Sequence, residues 1–257
     1  MAELFDQVHR QLEDLYSLYH KKEYISPDPL EIVRRYPGRE DREIAGLVAS
    51  SLALGRVQCI LQAVEKVLSR FKNLKDDLLA VSREDLVNLF SDFSYRFFSG
   101  EHISSFLWAA GQVARRYGSL EACFLDGLKP EDETVLPALC RFTEVLFRES
   151  GGSAHMLVTS PNKKSACKRH LLFLRWMIRK DEIDPGGWDS VSPSLLVVPV
   201  DTHMLRVSRQ LGLTSRKQAD LSTALEITSS LRIYCPEDPV KYDFSMTRPG
   251  IHPSIES

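Results

Sequence analysis

The sequence predicts an all-α fold, and three observations carry that prediction. Apolar residues recur at helical spacing along most of the chain, as in Phe5, Val8, Leu12, Leu15, Tyr16 and Tyr19. No convincing alternation of apolar and polar residues marks a half-buried strand. Turns rich in proline and glycine cut the chain between the stripes, and there is no internal repeat.

Taken in order, a first helix runs from Phe5 to Tyr19 and is stopped by Ser26-Pro27-Asp28-Pro29. A short helix follows around Leu30 to Tyr36, and Pro37-Gly38-Arg39-Glu40-Asp41 turns the chain. From Asp41 the stripe Ile44, Leu47, Val48, Ser51, Leu52 carries few charges after Glu43, which predicts a largely buried helix. Gly55-Arg56 interrupts it, and Val57 to Phe71 forms a second amphipathic helix. Ser82-Arg83-Glu84-Asp85 has the look of a capped helix start. Further helices are expected from Gly100 to Tyr117, Ser119 to Leu125 and Thr134 to Glu149. Gly151-Gly152 breaks the chain, Ser160 to Ser165 is a polar turn, and Ala166 to Arg179 is helical, with Cys167, Leu171, Leu174 and Ile178 along one side. After the loop Asp184-Pro185-Gly186-Gly187-Trp188, helices run from Thr202 to near Gly212, from Asp220 to Ile233, and from Val240 onward.

At 257 residues the chain can bury a substantial core, as one large domain or two closely packed lobes. Its N-terminus holds acids where a secretion signal would hold basic residues, and no apolar run reaches the length of a membrane span. A cytoplasmic protein with no membrane partner is expected. The five cysteines (Cys59, Cys123, Cys140, Cys167, Cys235) are dispersed and never paired as C-x-x-C, which argues against disulfides and against a cysteine-held metal. Most are expected to be small buried residues.

Net charge is −2, but it is unevenly spread. Eleven Lys/Arg and five acids lie between Pro161 and Lys217, so that window carries +6 and the rest −8. Such a region suits a polyanion contact; a solvated helical surface has the same composition.

Within that window the apolar run Leu195 to Val198 ends at Pro199, and Asp201 then opens the helix Thr202-His203-Met204-Leu205-Arg206. A carboxylate at a helix N-terminus meets unpaired backbone N–H groups and the positive end of the dipole, which keep it ionised. Two readings follow: an N-cap, or a catalytic carboxylate held ready. His203 reads as a helix-surface or packing residue.

Several strings carry a resemblance: Ser165-Ala166-Cys167-Lys168-Arg169, Phe173-Leu174-Arg175-Trp176-Met177-Ile178-Arg179-Lys180-Asp181, Val200-Asp201-Thr202-His203 and Asp238-Pro239-Val240-Lys241-Tyr242-Asp243-Phe244. Upstream they are joined by Asp28-Pro29-Leu30-Glu31, Glu43-Ile44-Ala45-Gly46, Leu54-Gly55-Arg56-Val57, Phe93 to Gly100 and Cys140-Arg141-Phe142-Thr143. Together they resemble an uncharacterised bacterial and archaeal family with a domain of unknown function, of the DUF2400 type, over nearly the whole chain. The C-terminal strings also resemble the helix-hairpin-helix (HhH-GPD, endonuclease III-like) DNA glycosylases.

The second resemblance implies a two-lobed helical HhH-GPD-type glycosylase fold with an atypical hairpin. It would form a single glycosylase-like domain over residues 1–257, with the DNA-binding hairpin and catalytic segment at about 155–215. It implies that Asp201 is catalytic, since breaking an N-glycosidic bond builds positive charge on the sugar that a carboxylate stabilises. Lys168 occupies the place of the lysine that attacks C1′ in lyase-type members, or else grips DNA. The 33 residues separating it from Asp201 exceed the spacing in endonuclease III-like enzymes, so residues 181–198 are expected to loop out.

The Gly-x-Gly turn of that superfamily's hairpin is replaced here by Pro161-Asn162-Lys163-Lys164-Ser165. Lys163, Lys164 and Ser165 are therefore expected to hold a DNA phosphate beside the N–H groups of the following helix. Arg169, Arg206 and Arg209 would bind the phosphate backbone. Arg56, in the Leu54-Gly55-Arg56 turn, would be a wedge or orphan-base contact, although a helix-end turn explains the glycine equally well. Trp108, Trp176, Trp188, Phe173 and Phe244 stand as pocket walls or as core.

With Cys235 alone near the C-terminus, no iron–sulfur cluster, other cofactor or metal is expected. The expected partner is double-stranded DNA, bound by a monomer. The expected product is an abasic site left by flipping and excising a base, either a damaged base or a modified base of phage DNA such as glucosylated hydroxymethylcytosine. The rival readings are a non-catalytic helical nucleic-acid-binding protein and an N-glycosidic hydrolase acting on RNA.

Overall fold

The computed structural model describes residues 2–163 and 166–250. The chain divides into two compact units, one made of Met1–Pro27 with Lys164–Ser257 and the other of Asp28–Lys163. Both are predominantly helical.

The first unit opens with α1 (Ala2–Tyr19). The second then contains α2 (Leu30–Val33), α3 (Arg39–Ser51), α4 (Val57–Leu68), α5 (Leu74–Ala80) and α6 (Arg83–Leu89). A small hairpin of β1 (Ser94–Tyr95) and β2 (Phe98–Ser99) leads into α7 (Gly100–Tyr117), α8 (Leu120–Gly127) and α9 (Leu136–Glu149). The first unit resumes with α10 (Lys168–Ile178), α11 (Thr202–Gln210), α12 (Leu221–Arg232) and α13 (Asp243–Thr247).

In the second unit α7 is the central pillar, packed against α5, α6, α8 and α9. Its buried Ile103, Phe106, Leu107, Ala110 and Val113 supply the core face. Close approach fixes two of its glycines. A Cβ on Gly100 would stand 1.9 Å from the Phe90 carbonyl oxygen, and one on Gly111 would stand 2.9 Å from that of Leu78. The start of α7 is closed by a reciprocal cap: the Ser99 N–H donates to His102 Nδ1 at 3.0 Å, and the Ser99 side chain accepts the backbone N–H of His102.

The expected buried helix is α3, and Glu43 is buried with it. Its carboxylate accepts the N–H groups of Leu120 (2.7 Å) and Glu121 (3.1 Å), so one buried charge serves the positive end of α8. Ser82 caps α6 by accepting from the Asp85 N–H at 3.1 Å, as its sequence implied.

In the first unit α1 packs on α13, and α11 packs on α13 as well. Glu13 accepts from Lys241 Nζ at 2.8 Å and from the Tyr242 hydroxyl at 2.5 Å. Phe5 stacks on Tyr234 with ring centroids 4.9 Å apart.

Several expectations need correction. The chain holds a two-stranded hairpin, with Tyr95 opposite Phe98, which strands of two residues are too short to announce by alternation. Helix α5 was not foreseen, because only Leu74 and Leu78 of its seven residues are buried. The last helix begins at Asp243 rather than Val240, after the turn that Pro239 enforces. Of the cysteines only Cys123 and Cys167 are buried, while Cys59 is exposed. Of the aromatic residues left open as pocket walls or core, Trp176, Trp188, Phe173 and Phe244 are fully enclosed in the core and Trp108 is half-buried.

Candidate functional site

The apolar run before Asp201 is a buried extended segment. Leu196, Val197, Val198 and Val200 are inaccessible, and the Val198 N–H donates to Thr228 Oγ1 on α12 at 3.0 Å. This anchoring delivers Asp201 to the start of α11 with extended backbone angles, as an N-cap requires.

The two readings of Asp201 divide between its two oxygens. Oδ1 accepts the N–H groups of His203 (2.9 Å) and Met204 (2.8 Å), and so caps α11. Oδ2 takes a hydrogen bond from Lys168 Nζ at 2.6 Å. Both side chains are half-buried. Burial pushes the Asp201 carboxyl up, but the Lys168 charge and hydrogen bond, with the Met204 N–H, outweigh it and hold the group below its ordinary value.

Lys168 is the first residue of α10. A cation there faces the positive end of the helix dipole, so helix physics alone does not choose lysine at that position. Cys167 before it is left-handed, with φ 48°, an unusual conformation for a residue with a side chain. The loop expected between the two groups is present. Residues 179–201 hold no α-helix, and Lys168 and Asp201 meet despite the 33 positions between them.

The other site residues fall into several settings. Arg206 and Arg209 are exposed on α11 and line an open depression of about 440 Å³ with Thr202, Leu205 and Gln210. His203 is exposed on the same helix. Arg169 is half-buried, and burial draws its guanidinium below the usual arginine value. Arg56 belongs to the other unit, exposed at the N-terminus of α4 and preceded by Gly55 at φ 116°. Lys164, Ser165 and the Lys163 side chain lie outside the described residues. The stretch leading to them is a series of turns and a 3-10 helix (Pro161–Lys163) rather than a second α-helix, since Gly151 and Gly152 turn away from helical geometry with φ 67° and 84°.

A buried charge network escaped the sequence reading. Arg175 donates to both oxygens of Asp184 at 2.9 to 3.2 Å and to Asp243. Arg179 holds Asp184, Asp181 at 2.7 Å and Asp238 at 2.8 Å, and His20 lies 3.2 Å from Asp181. Burial raises the Asp181 carboxyl, but His20, Arg179 and the Asp184 N–H together hold it well below the usual range. The available signal was a pair of arginines four residues apart, one in the apolar second half of α10 and one just past its end, together with Asp181, Asp238 and Asp243 in the quoted strings. The network ties α10, which carries Lys168, to α13, which packs against α11 and its Asp201 cap.

Among the described residues no group of three or more His, Cys, Asp or Glu side chains is arranged to hold a metal, and no helix is long and apolar enough to cross a membrane. Residues 28–252 match the model of a family described as "Protein of unknown function (DUF2400)", and the chain belongs to that family. No curated protein matches it, and no solved structure does.

Proposed function

We propose that this DUF2400 protein is a DNA N-glycosylase in which Asp201 stabilises the cationic sugar and Lys168 is the neighbouring amine. The observation that carries the reading is the 2.6 Å contact between Lys168 Nζ and Asp201 Oδ2, made by residues 33 positions apart. An ionised carboxylate beside C1′ would stabilise the oxocarbenium character of the transition state and orient a water for attack. The base departs with the bonding electron pair, and an abasic sugar remains. If Lys168 attacks instead, its amine must first give up a proton, and loss of the base then leads to a Schiff base that permits strand cleavage.

Support for DNA as the substrate comes from Arg206 and Arg209, which are exposed on the helix that Asp201 caps. The finer fold assignment in this reading is the HhH-GPD type, supported by the helical architecture and by the place of Asp201 at the head of α11. The turns before α10 are its point of departure from that type.

The competing reading is a non-catalytic nucleic-acid-binding protein. One observation favours it: the cap bonds to Oδ1 account for half of the Asp201 carboxylate without any chemistry.

The experiment is abasic-site formation, read with an aldehyde-reactive probe on plain, oxidised, deaminated and phage-type hypermodified DNA. Asp201→Asn, which keeps an acceptor for the cap, is expected to cut turnover by about 10²- to 10⁴-fold while DNA binding persists. Borohydride trapping of a protein–DNA adduct, lost in Lys168→Gln, would assign the lyase branch. DNA binding with no abasic sites on any substrate would favour the non-catalytic reading.

A further inference from the structure

The second unit carries an exposed feature that the Asp201 chemistry does not use. At the tip of the hairpin, Arg96 is left-handed with φ 53° and Phe97 follows it with 64% of its surface open, in a fold that buries most of its aromatic rings. The Arg96 guanidinium lies 5.7 Å from the Phe97 ring centroid, a cation over an aromatic face.

The tip is braced against the turn between α3 and α4. The Tyr95 hydroxyl donates to the Leu54 carbonyl at 2.7 Å, and a Cβ on Gly55 would stand 2.6 Å from the Arg96 side chain. Glycine therefore leaves the space through which Arg96 passes. Leu54 is 37% exposed at the same place, and Arg56 is exposed beside it.

We infer that Phe97, with Leu54, Arg56 and Arg96 around it, is a stacking platform for an unpaired nucleobase of single-stranded DNA. Three observations argue for that occupant. Residues 51–60 and 93–100 contain two arginines and no acid; of the two acids that flank them, Asp92 is already paired with Lys66 (3.4 Å) and Arg70 (2.8 Å), and Glu101 accepts from Ser153 Oγ (3.5 Å). Arg56 and Arg96 make no ion pair among the described residues, so both charges remain available to phosphates. Finally, two apolar side chains offer far less than the roughly 800 Å² per partner of a stable protein interface, whereas one base needs only one ring face. The inference rests on the glycosylase reading solely for its choice of nucleic acid as partner, and its test needs no turnover.

The test is binding of a fluorescein-labelled oligo-dT to the full chain carrying Asp201→Asn. Phe97→Ala is expected to weaken binding about 5- to 150-fold, the range spanned by one base–aromatic stack. Phe97→Trp is expected to keep the affinity and to show indole emission quenched by the oligonucleotide. Arg56→Gln and Arg96→Gln are each expected to reduce the slope of log affinity against log salt by about 0.7. Unchanged affinity in Phe97→Ala, or no binding by the parent protein, would overturn the inference. So would a Phe97→Trp emission that responds to anionic phosphatidylserine vesicles and not to the oligonucleotide. A failed abasic-site assay leaves it standing.

Discussion

Mild acid is expected to loosen the first unit through one buried imidazole. His170 on α10 is fully enclosed, and burial, aided by the adjacent Arg169 charge, brings its pKa down to about 3. In the unfolded chain the group returns to about 6.5. Between those values the unfolded chain binds a proton that the folded protein refuses, so stability falls as pH falls. The contribution is fully present above pH 6.5 and drains away on descent toward pH 3. Over the interval from pH 7.5 to 4.5 it amounts to about 3 kcal/mol, from the two units that lie below 6.5. The depressed Asp181 and Asp201 carboxyls also weaken the fold in acid, but they do so below their ordinary values near 4, outside that interval. The assay is urea unfolding at four pH values across it, for the parent protein and His170→Leu. The variant, with nothing to protonate at that position, is expected to lose about 3 kcal/mol less over the interval. Equal losses in the two proteins would refute the assignment of this acid sensitivity to His170.

Three further outcomes are expected. Arg175→Met strips the partner from Asp243 and part of the pairing from Asp184, both buried, and should cost about 3–5 kcal/mol in a urea titration; an unmoved midpoint would show the network to be dispensable. Gly100→Ala drives a methyl group into the Phe90 carbonyl and should cost about 1–3 kcal/mol or more, whereas Gly38→Ala, with nothing within 4 Å and no left-handed φ, should stay within about 0.5 kcal/mol in the same melting experiment. Asp201→Ala should lower stability by about 1 kcal/mol through loss of the α11 cap, and Asp201→Asn by much less, read as a difference in Tm between the two variants.

The parts of the fold legible in the sequence were those specified by neighbours along the chain. The limits of α7 and the Ser82 cap of α6 follow from residues within a turn or two of each feature. So does the start of α11 at Asp201. Features that depend on distant partners were hidden. Nothing near Glu43 says that its carboxylate will meet the start of α8, and nothing near Arg175 says that Asp184 and Asp243 will close on it. The hairpin escaped because its four paired residues are fewer than any alternation needs. At the candidate site the cap role of Asp201 was local and readable. Its contact with Lys168 was suggested only by the resemblance, because the residues between them form no regular element that fixes their separation.

The first unit is built from the two ends of the chain, with the whole of the second unit between them. That division orders events at the ribosome. Helix α1 emerges early, but Asp181 (for His20), Tyr234 (for Phe5) and Lys241 and Tyr242 (for Glu13) are translated only after the second unit is complete. The second unit is continuous and can close while synthesis proceeds. The apolar face of Val8 and Leu12 on α1 is covered only once those later residues are made. A nascent chain arrested before Lys241 would already contain both Lys168 and Asp201, yet it would lack the anchor of α1 and all of α13.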